Sequence, residues 1–482
     1  MSTPLSLALG LGLVVGGCSP ERGAGHRSAT PLVEGERPNF LVLVPDSMRA
    51  DRLLRERDGQ AVAPHLAGLA ARGVRFEQAV SNAGWTIPAL AGFMTGKHAR
   101  LPRPQSESLG WTAPGAQSFP MILAMYDYRT TGFVGARSDA LFGVLGSQCD
   151  RVIRADGHED LALGATAELA AWLEDQPDEP FVALVHDVDL RFVVGLDDLA
   201  AWSGAAERCR GARSSGGEPK PLDIVALRAC LELDDIDAGA AVSELYDDTL
   251  AQYDRGIGEV LRALEGSGMA PRTVVVLASP NGHHLGENGR FEHSTLYEPD
   301  LRIPLVWVEP GGDAAGGTVE HRVQLLDLAP TILARAGVPV PVGLDGRSLL
   351  AVAELAPGVH PERDAYAFND VTRFALRAGS YELQRQHPKP RRGPPSREGV
   401  RHELYDLAAD PFESQNLWTD PPSAIALALS ERLAAFEQQV HASSLADNIG
   451  AQVSPDPELR QHLKDEGYWR HVEPGSSPGD GP

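Results

Sequence analysis

Short apolar runs of strand length, each broken by a polar turn and followed by a helical pattern, are what most constrain this chain. The first occupies residues 40–44, Phe-Leu-Val-Leu-Val, short for a buried helix and apolar on both faces, as a strand inside a parallel sheet must be. Similar runs lie at 131–134, 181–185, 273–279 and 304–308. Between them Leu245, Leu250, Tyr253, Ile257, Val260, Leu261 and Leu264 recur at the helical period, and Leu161, Leu169, Trp172 and Leu173 do so more weakly. Strands alternating with helices predict an α/β fold, a large doubly wound and mainly parallel sheet flanked by helices. In such sheets ligands sit beyond the C-terminal strand ends. There the run at 40–44 stops at Pro45 and presents a carboxylate, Asp46. An ordinary polar turn reads the same way, so the later segments carry the weight.

The sheet domain is expected to span residues 38–348. Residues 349–445 change character: the runs at 365–368, 373–376 and 381–384 read as antiparallel strands, and 424–440 as an amphipathic helix. They predict a smaller C-terminal α+β subdomain, followed by an irregular tail over 446–482. Residues 191–240 are rich in Gly, Asp and Ala without a clear period and read as an insertion. No internal repeat is visible.

At the N-terminus an apolar stretch over 5–15 leads into Val-Gly-Gly-Cys-Ser, which resembles a bacterial lipobox. It implies a signal peptide over 1–18, cleavage before Cys18, lipidation of that cysteine and a flexible tether over 19–37. The protein would then be lipid-anchored in the bacterial cell envelope, touching the membrane through its lipid only. No Lys or Arg precedes the apolar stretch, and a soluble secreted product is the alternative. The formal net charge of −23 disfavours nucleic acid and anionic membrane surfaces as partners. It leaves a small anionic ligand open, because the local field outweighs the total. Cys209 and Cys230 bracket a charged, Gly-rich stretch and either pair or, with Cys149, stand as unpaired thiols. No cysteine spacing resembles a zinc site.

The second key segment is Trp-Thr-Ile-Pro-Ala-Leu over 85–90. Pro88 suits the first turn of a helix, which puts Thr86 at the positive end of the helix dipole. A nucleophile that must meet an anion is well placed there, and so is an ordinary N-capping threonine.

With these residues in view the chain resembles a sulfatase, a member of the alkaline phosphatase superfamily. Asp46, Ser47, Arg49 and Asp51 match the family's first metal loop, and Ala63-Pro64-His65-Leu66 with Gly73-Val74-Arg75-Phe76 the segment after it. Residues 86–97 keep the spacing of the sulfatase signature. Residues 282–304, with Leu285-Gly286-Glu287, His293 and Leu296-Tyr297-Glu298, match a further block, as do Asp327 to Thr331 and Leu404 to Leu407. The resemblance implies a divalent cation, calcium before magnesium or manganese, held by oxygen ligands, and a sulfate ester attacked by a formylglycine hydrate. Carried over, Asp46 and Asn281 fall on metal ligands, Thr86 on the nucleophile, His293 on a substrate-contacting position and Arg191 on an anion-binding one, while Lys97 with Arg191, His283 and His284 offers a rearranged, metal-poor anion pocket.

The chain departs from that pattern where chemistry is done. Formylglycine is made from Cys or Ser, so Thr86 implies none; superfamily phosphodiesterases and phosphotransferases use Thr directly. Ala89 and Leu90 replace the signature's Ser and Arg, Ser47 a second Asp, Pro280 a metal-ligand Asp, and Arg191 an anion-binding His. His283 and His284 add imidazoles where the family has an acid. Two readings follow. One is a hydrolase or transferase of sulfuric or phosphoric esters with a degenerate metal and nucleophile site. The other is a lipid-anchored, non-catalytic pseudo-sulfatase that binds a sulfated or phosphorylated ligand.

Overall fold

Strand β1 (Asn39–Pro45) runs through the interior of an eight-stranded sheet. The computed structural model describes residues 37–99, 117–135, 148–155, 164–175, 180–187, 190, 192–193, 222–223, 235–291, 293–310, 317–350, 363–370, 372–388 and 399–446. With labels in chain order, the strands across the sheet are β8 (Gly317–Gln324), β2 (Val74–Val80), β7 (Leu305–Val308), β6 (Thr273–Ala278), β1, β5 (Phe181–Asp187), β3 (Arg129–Gly135) and β4 (Arg151–Ala155). Strand β1 pairs in parallel with β6 on one side and β5 on the other. Strand β7 is the exception to parallel pairing, running antiparallel to both β6 and β2. The expected mainly parallel, doubly wound architecture is therefore what the chain adopts.

Alternation along β1 sends its side chains to two cores. Leu41 and Leu43 join Ala183, Val185, Val275 and Leu277 on one face. Helices α1 (Pro64–Arg72), α4 (Gly164–Glu174) and α5 (Asp235–Gly266) cover that face with Leu66, Trp172 and the Leu245, Tyr253, Ile257 stripe. Phe40, Val42 and Val44 point the other way and are equally buried. On that side α2 (Thr86–Thr95), α3 (Phe119–Ala124) and α6 (Leu328–Arg335) pack together, with Phe93 edge-on to Phe119 at 5.3 Å.

The C-terminal strands β9 (Ala365–Asp370), β10 (Arg373–Ala378), β11 (Tyr381–Gln386) and β12 (Arg401–Asp406) form an antiparallel meander. Helix α7 (Ala424–Ala446) lays Leu429, Leu433 and Phe436 on Phe368, Phe374 and Leu383. Trp85, Ile87 and Ala91 belong to the same apolar cluster, so the small sheet packs onto the helix that carries Thr86.

Several readings are corrected. Strands β2, β4, β8 and β12 were not expected from their apolar content, because each carries charged residues such as Arg75, Glu77, Arg151 and Arg401. Residues 235–240, assigned to an irregular insertion, are the first turns of α5, and Phe192–Val193 pairs with Leu222–Asp223. Cys18, Arg191, Cys209, Cys230, residues 19–36 and the tail beyond 446 lie outside the described residues. Cys149 is a free, half-buried thiol. Among the described residues no helix is long and apolar enough to cross a membrane.

Candidate functional site

The site is built where β1 and β6 end side by side. After Pro45 the chain turns through Asp46 and Ser47, and Ser47 takes a left-handed φ of 61° that a non-glycine residue adopts only when its surroundings hold it there. The surroundings do hold it. Tyr246 of α5 donates its hydroxyl to the Ser47 carbonyl at 2.8 Å and accepts from the Arg49 amide at 3.0 Å. The Met48 amide donates to Ser279 Oγ at 3.0 Å, and that hydroxyl donates to the Asn281 carbonyl at 2.6 Å. The two strand ends are thus stitched to each other.

Thr86 is the first residue of α2 and is fully buried, like Asp46, Ser47 and Asn281. Its hydroxyl lies 3.0 and 2.9 Å from the two carboxylate oxygens of Asp46 and 3.4 Å from Asn281 Oδ1. Asn281 Nδ2 donates to Ser47 Oγ at 3.2 Å and to the Gly282 carbonyl at 2.8 Å, which turns its oxygen towards Thr86. Three acceptor oxygens therefore face one hydroxyl proton. The imidazoles of His283 and His293 stack at 5.8 Å on a neighbouring loop.

That loop is fixed through His284 by three residues the sequence did not single out, Thr295, Asp300 and Asn369. His284 Nε2 meets Thr295 Oγ1 at 2.9 Å, and Thr295 donates its hydroxyl and amide to Asp300 Oδ2 at 2.6 and 2.7 Å. Asn369 of β9 donates to the Ser294 and Thr295 carbonyls at 2.8 and 2.9 Å, and accepts from the Gly84 amide at 2.7 Å. A methyl group at Gly84 would lie 1.7 Å from the Thr295 carbonyl oxygen, so only glycine permits this approach. The small sheet thereby clamps the Thr86 segment to the His293–Thr295 segment. A lone Asn at a strand end, far along the chain, gives no local signal of that role.

Arg49 donates to Asp51 at 2.8 and 2.9 Å, to Glu287 at 2.6 Å and to the His283 carbonyl at 3.0 Å. Its charge is consumed in holding loops together. Lys97 is a correction to the expected anion set: it follows the far end of α2, whose ten residues from Thr86 span roughly 15 Å. Ala89 and Leu90 are buried within α2, so neither position supplies a donor to the cluster.

Burial pushes His284 down to about 4 and Asp300 up to about 8, the latter against the hydrogen bonds from Thr295. The two groups lie 3.7 Å apart at zero exposure, a spacing that suits an ion pair, but desolvation of both favours the neutral forms. Asp300 Oδ1 has no hydrogen-bond partner among the described residues, so no donor stabilises negative charge on that oxygen. The folded chain then keeps a proton on Asp300 up to about pH 8 that the unfolded chain releases near 3.8, so stability falls as pH rises between those values. Asp300→Asn should flatten this slope. Urea midpoints of both proteins at pH 5, 6.5 and 8 test it; equal slopes would refute it.

The described residues do not fit a calcium or magnesium site. Asp46 is the single carboxylate in the cluster, with Asn281, Ser47 and Thr86 oxygens around it. Among the described residues no group of three or more His, Cys, Asp or Glu side chains is arranged to hold a metal ion. Calcium affinity follows the number of charged ligands.

A family model described as Sulfatase matches residues 38–338. The chain belongs to the sulfatase family. A second model, the C-terminal part of N-sulphoglucosamine sulphohydrolase, matches residues 286–439. Human arylsulfatase K is 27% identical over 216 residues, 44% of this chain, and the match spans only 38% of that relative's length. The delta 4,5-hexuronate-2-O-sulfatase of Bacteroides thetaiotaomicron is 23% identical over 480 residues, covering 92% of this chain and 96% of the relative. A solved structure in complex with its substrate D-glucosamine-2-N,6-O-disulfate shares the fold at a TM-score of 0.61 and 18% identity, covering 86% of this chain and all of that one.

Proposed function

We propose that this member of the sulfatase family binds a sulfated saccharide without hydrolysing it. One observation carries the reading: among the described residues the Thr86 hydroxyl meets acceptors, two oxygens of Asp46 and one of Asn281. A sulfate arriving there would meet the fully buried Asp46 carboxylate, with Leu90 and Pro280 standing where the family places a cation and a further metal ligand. Negative charge developing during attack would be opposed, whereas a working site aims preorganised donors at it, each worth about 100- to 1,000-fold in rate. With Leu90 apolar, Arg49 committed to Asp51 and Glu287, and Pro280 in place of a carboxylate, the donors and the metal ligands are reduced together. The saccharide class comes from the relatives, one of which is a hexuronate-2-O-sulfatase, and from the neighbour bound to a disulfated glucosamine. Anchoring through a lipidated Cys18 belongs to the same proposal, and mass spectrometry of the mature N-terminus from the membrane fraction checks it.

A second reading keeps catalysis. The Thr86 hydroxyl donates to a carboxylate at the N-terminus of a helix, which is how a nucleophile and its base are arranged. One experiment separates the two. The purified protein is assayed with 4-nitrophenyl sulfate and 4-nitrophenyl phosphate, with and without calcium and manganese, beside Thr86→Val. The expected result is release of 4-nitrophenol at the buffer rate by both proteins. Turnover that Thr86→Val abolishes would overturn the binding reading.

A further inference from the structure

Resting on that reading, we infer that a cavity between the Thr295 loop and the small sheet binds an anionic substituent, sulfate or carboxylate, of a second sugar in the same ligand. The cavity holds about 210 Å³ and is lined by Arg290, Arg373, Arg385 and Arg401 together with Gln384 and Glu403. Four guanidinium groups stand against Glu403 in the lining and Asp370 and Glu437 behind it, so the cavity keeps a positive surplus in a protein of net charge −23.

The partners of these groups differ. Arg373 is held by Asp370 and by the Ser294 carbonyl, and Arg385 by Glu437 and Ser430, so both are positioned from behind. Arg401 reaches Glu403 at 3.2 Å while three-quarters exposed. Glu403 also accepts from the hydroxyls of Tyr297 and Tyr405 at 2.6 and 2.9 Å, which spreads its charge over donors inside the protein. Arg290 lies over the Tyr297 ring at 4.5 Å, touches its hydroxyl at 3.3 Å and forms no ion pair with a described carboxylate. A planar guanidinium braced on an aromatic face, with the donors other than the one on Tyr297 uncommitted, is suited to bidentate recognition of an oxyanion.

Proximity makes this a second subsite of one ligand. Thr295 lines the cavity and also holds His284, while its carbonyl packs on Gly84, two residues before Thr86. From His293 to Thr295 is two residues, about 7 Å of extended chain, a span that a disaccharide bridges. The cavity and the His293 loop therefore read successive sugars.

The test uses heparin-derived octasaccharide as probe and isothermal titration on the full chain, Arg290→Ala, Arg401→Ala and the double variant. Each single change should weaken binding about tenfold and the double change about a hundredfold, with a shallower dependence on salt. Arg290→Lys should recover part of the loss, because charge returns without the planar fork. Thermal melts of each variant check that the fold is kept. Carboxyl-reduced and desulfated octasaccharides identify the group: whichever modification abolishes the difference between wild type and double variant removes the substituent the cavity holds. Wild-type binding that the double variant retains in full overturns the cavity and leaves the binding reading standing. Absence of wild-type binding overturns both.

Discussion

Replacing Arg377 by leucine should cost the fold about 3–5 kcal/mol, the range for removing one partner from a buried ion network. Arg377 is 4% exposed and stands opposite Glu382 in the β10–β11 pairing, with its Nε on that carboxylate. Its Nη1 lies 2.5 Å from Glu298, whose amide in turn donates to Glu413 at 2.6 Å. Burial raises the pKa of both Glu382 and Glu413, and Arg377 opposes that rise in each. Without the guanidinium the carboxyls are left in a dry site, and they must be protonated or exposed. Groups whose folded pKa is raised give stability at low pH and lose it as pH rises through the folded value. The deficit of Arg377→Leu relative to wild type should therefore be smaller at pH 5 than at pH 8.

The pair Arg377→Leu, Glu382→Leu should recover much of the loss, because a buried ion pair exchanged for apolar side chains is often neutral. Urea unfolding of the three proteins at both pH values decides. A single variant within 1 kcal/mol of wild type would mean that water reaches the network. The consequence extends to the site, since Glu298 opens the helical turn that carries Asp300, and Asp300 holds Thr295.

How much of this was legible in the chain depends on the reach of each signal. Buried strands announce themselves: residues 40–44 and 273–278 are continuous apolar runs because both faces are covered, and they pair in parallel as expected. Edge and partly exposed strands do not, which is why β2 and β4, with Arg75, Glu77 and Arg151 among their residues, left no apolar run. The convergence of Asp46, Thr86 and Asn281 followed from strand ends and a helix start, features written locally. Lys97 failed because it was placed by its distance along a motif, while a straight helix carries it to the opposite end from Thr86. Asn369 and Tyr246 act across about 75 residues or more, and Asp300 acts through burial and two bonds to a residue five positions away, and none of these leaves a periodic trace.

Pro280→Asp should convert the collapsed cluster into a cation site, and the cost of doing so without a cation should be plain. Position 280 lies between Ser279, which meets the Met48 amide, and Asn281, whose side chain meets Ser47 and Thr86, so it adjoins the Asp46 cluster. A second carboxylate there, in a cluster at zero exposure, faces the first across a dry gap, and an uncompensated buried charge costs about 3–5 kcal/mol. Calcium added in excess offsets much of that cost, since a ligand that binds only the folded chain at 100 times its Kd returns about 2.7 kcal/mol. The variant should thus melt below wild type in chelator and regain most of the difference in millimolar calcium, while wild type melts at one temperature in both. Paired melts, with isothermal titration of calcium and manganese, measure this. Wild-type protein that shifts as strongly as the variant would show that its own groups already complete the donor set around Asp46 and Asn281. Thr86 would then face a cation beside the Asp46 carboxylate, and the argument against turnover would lose its electrostatic ground.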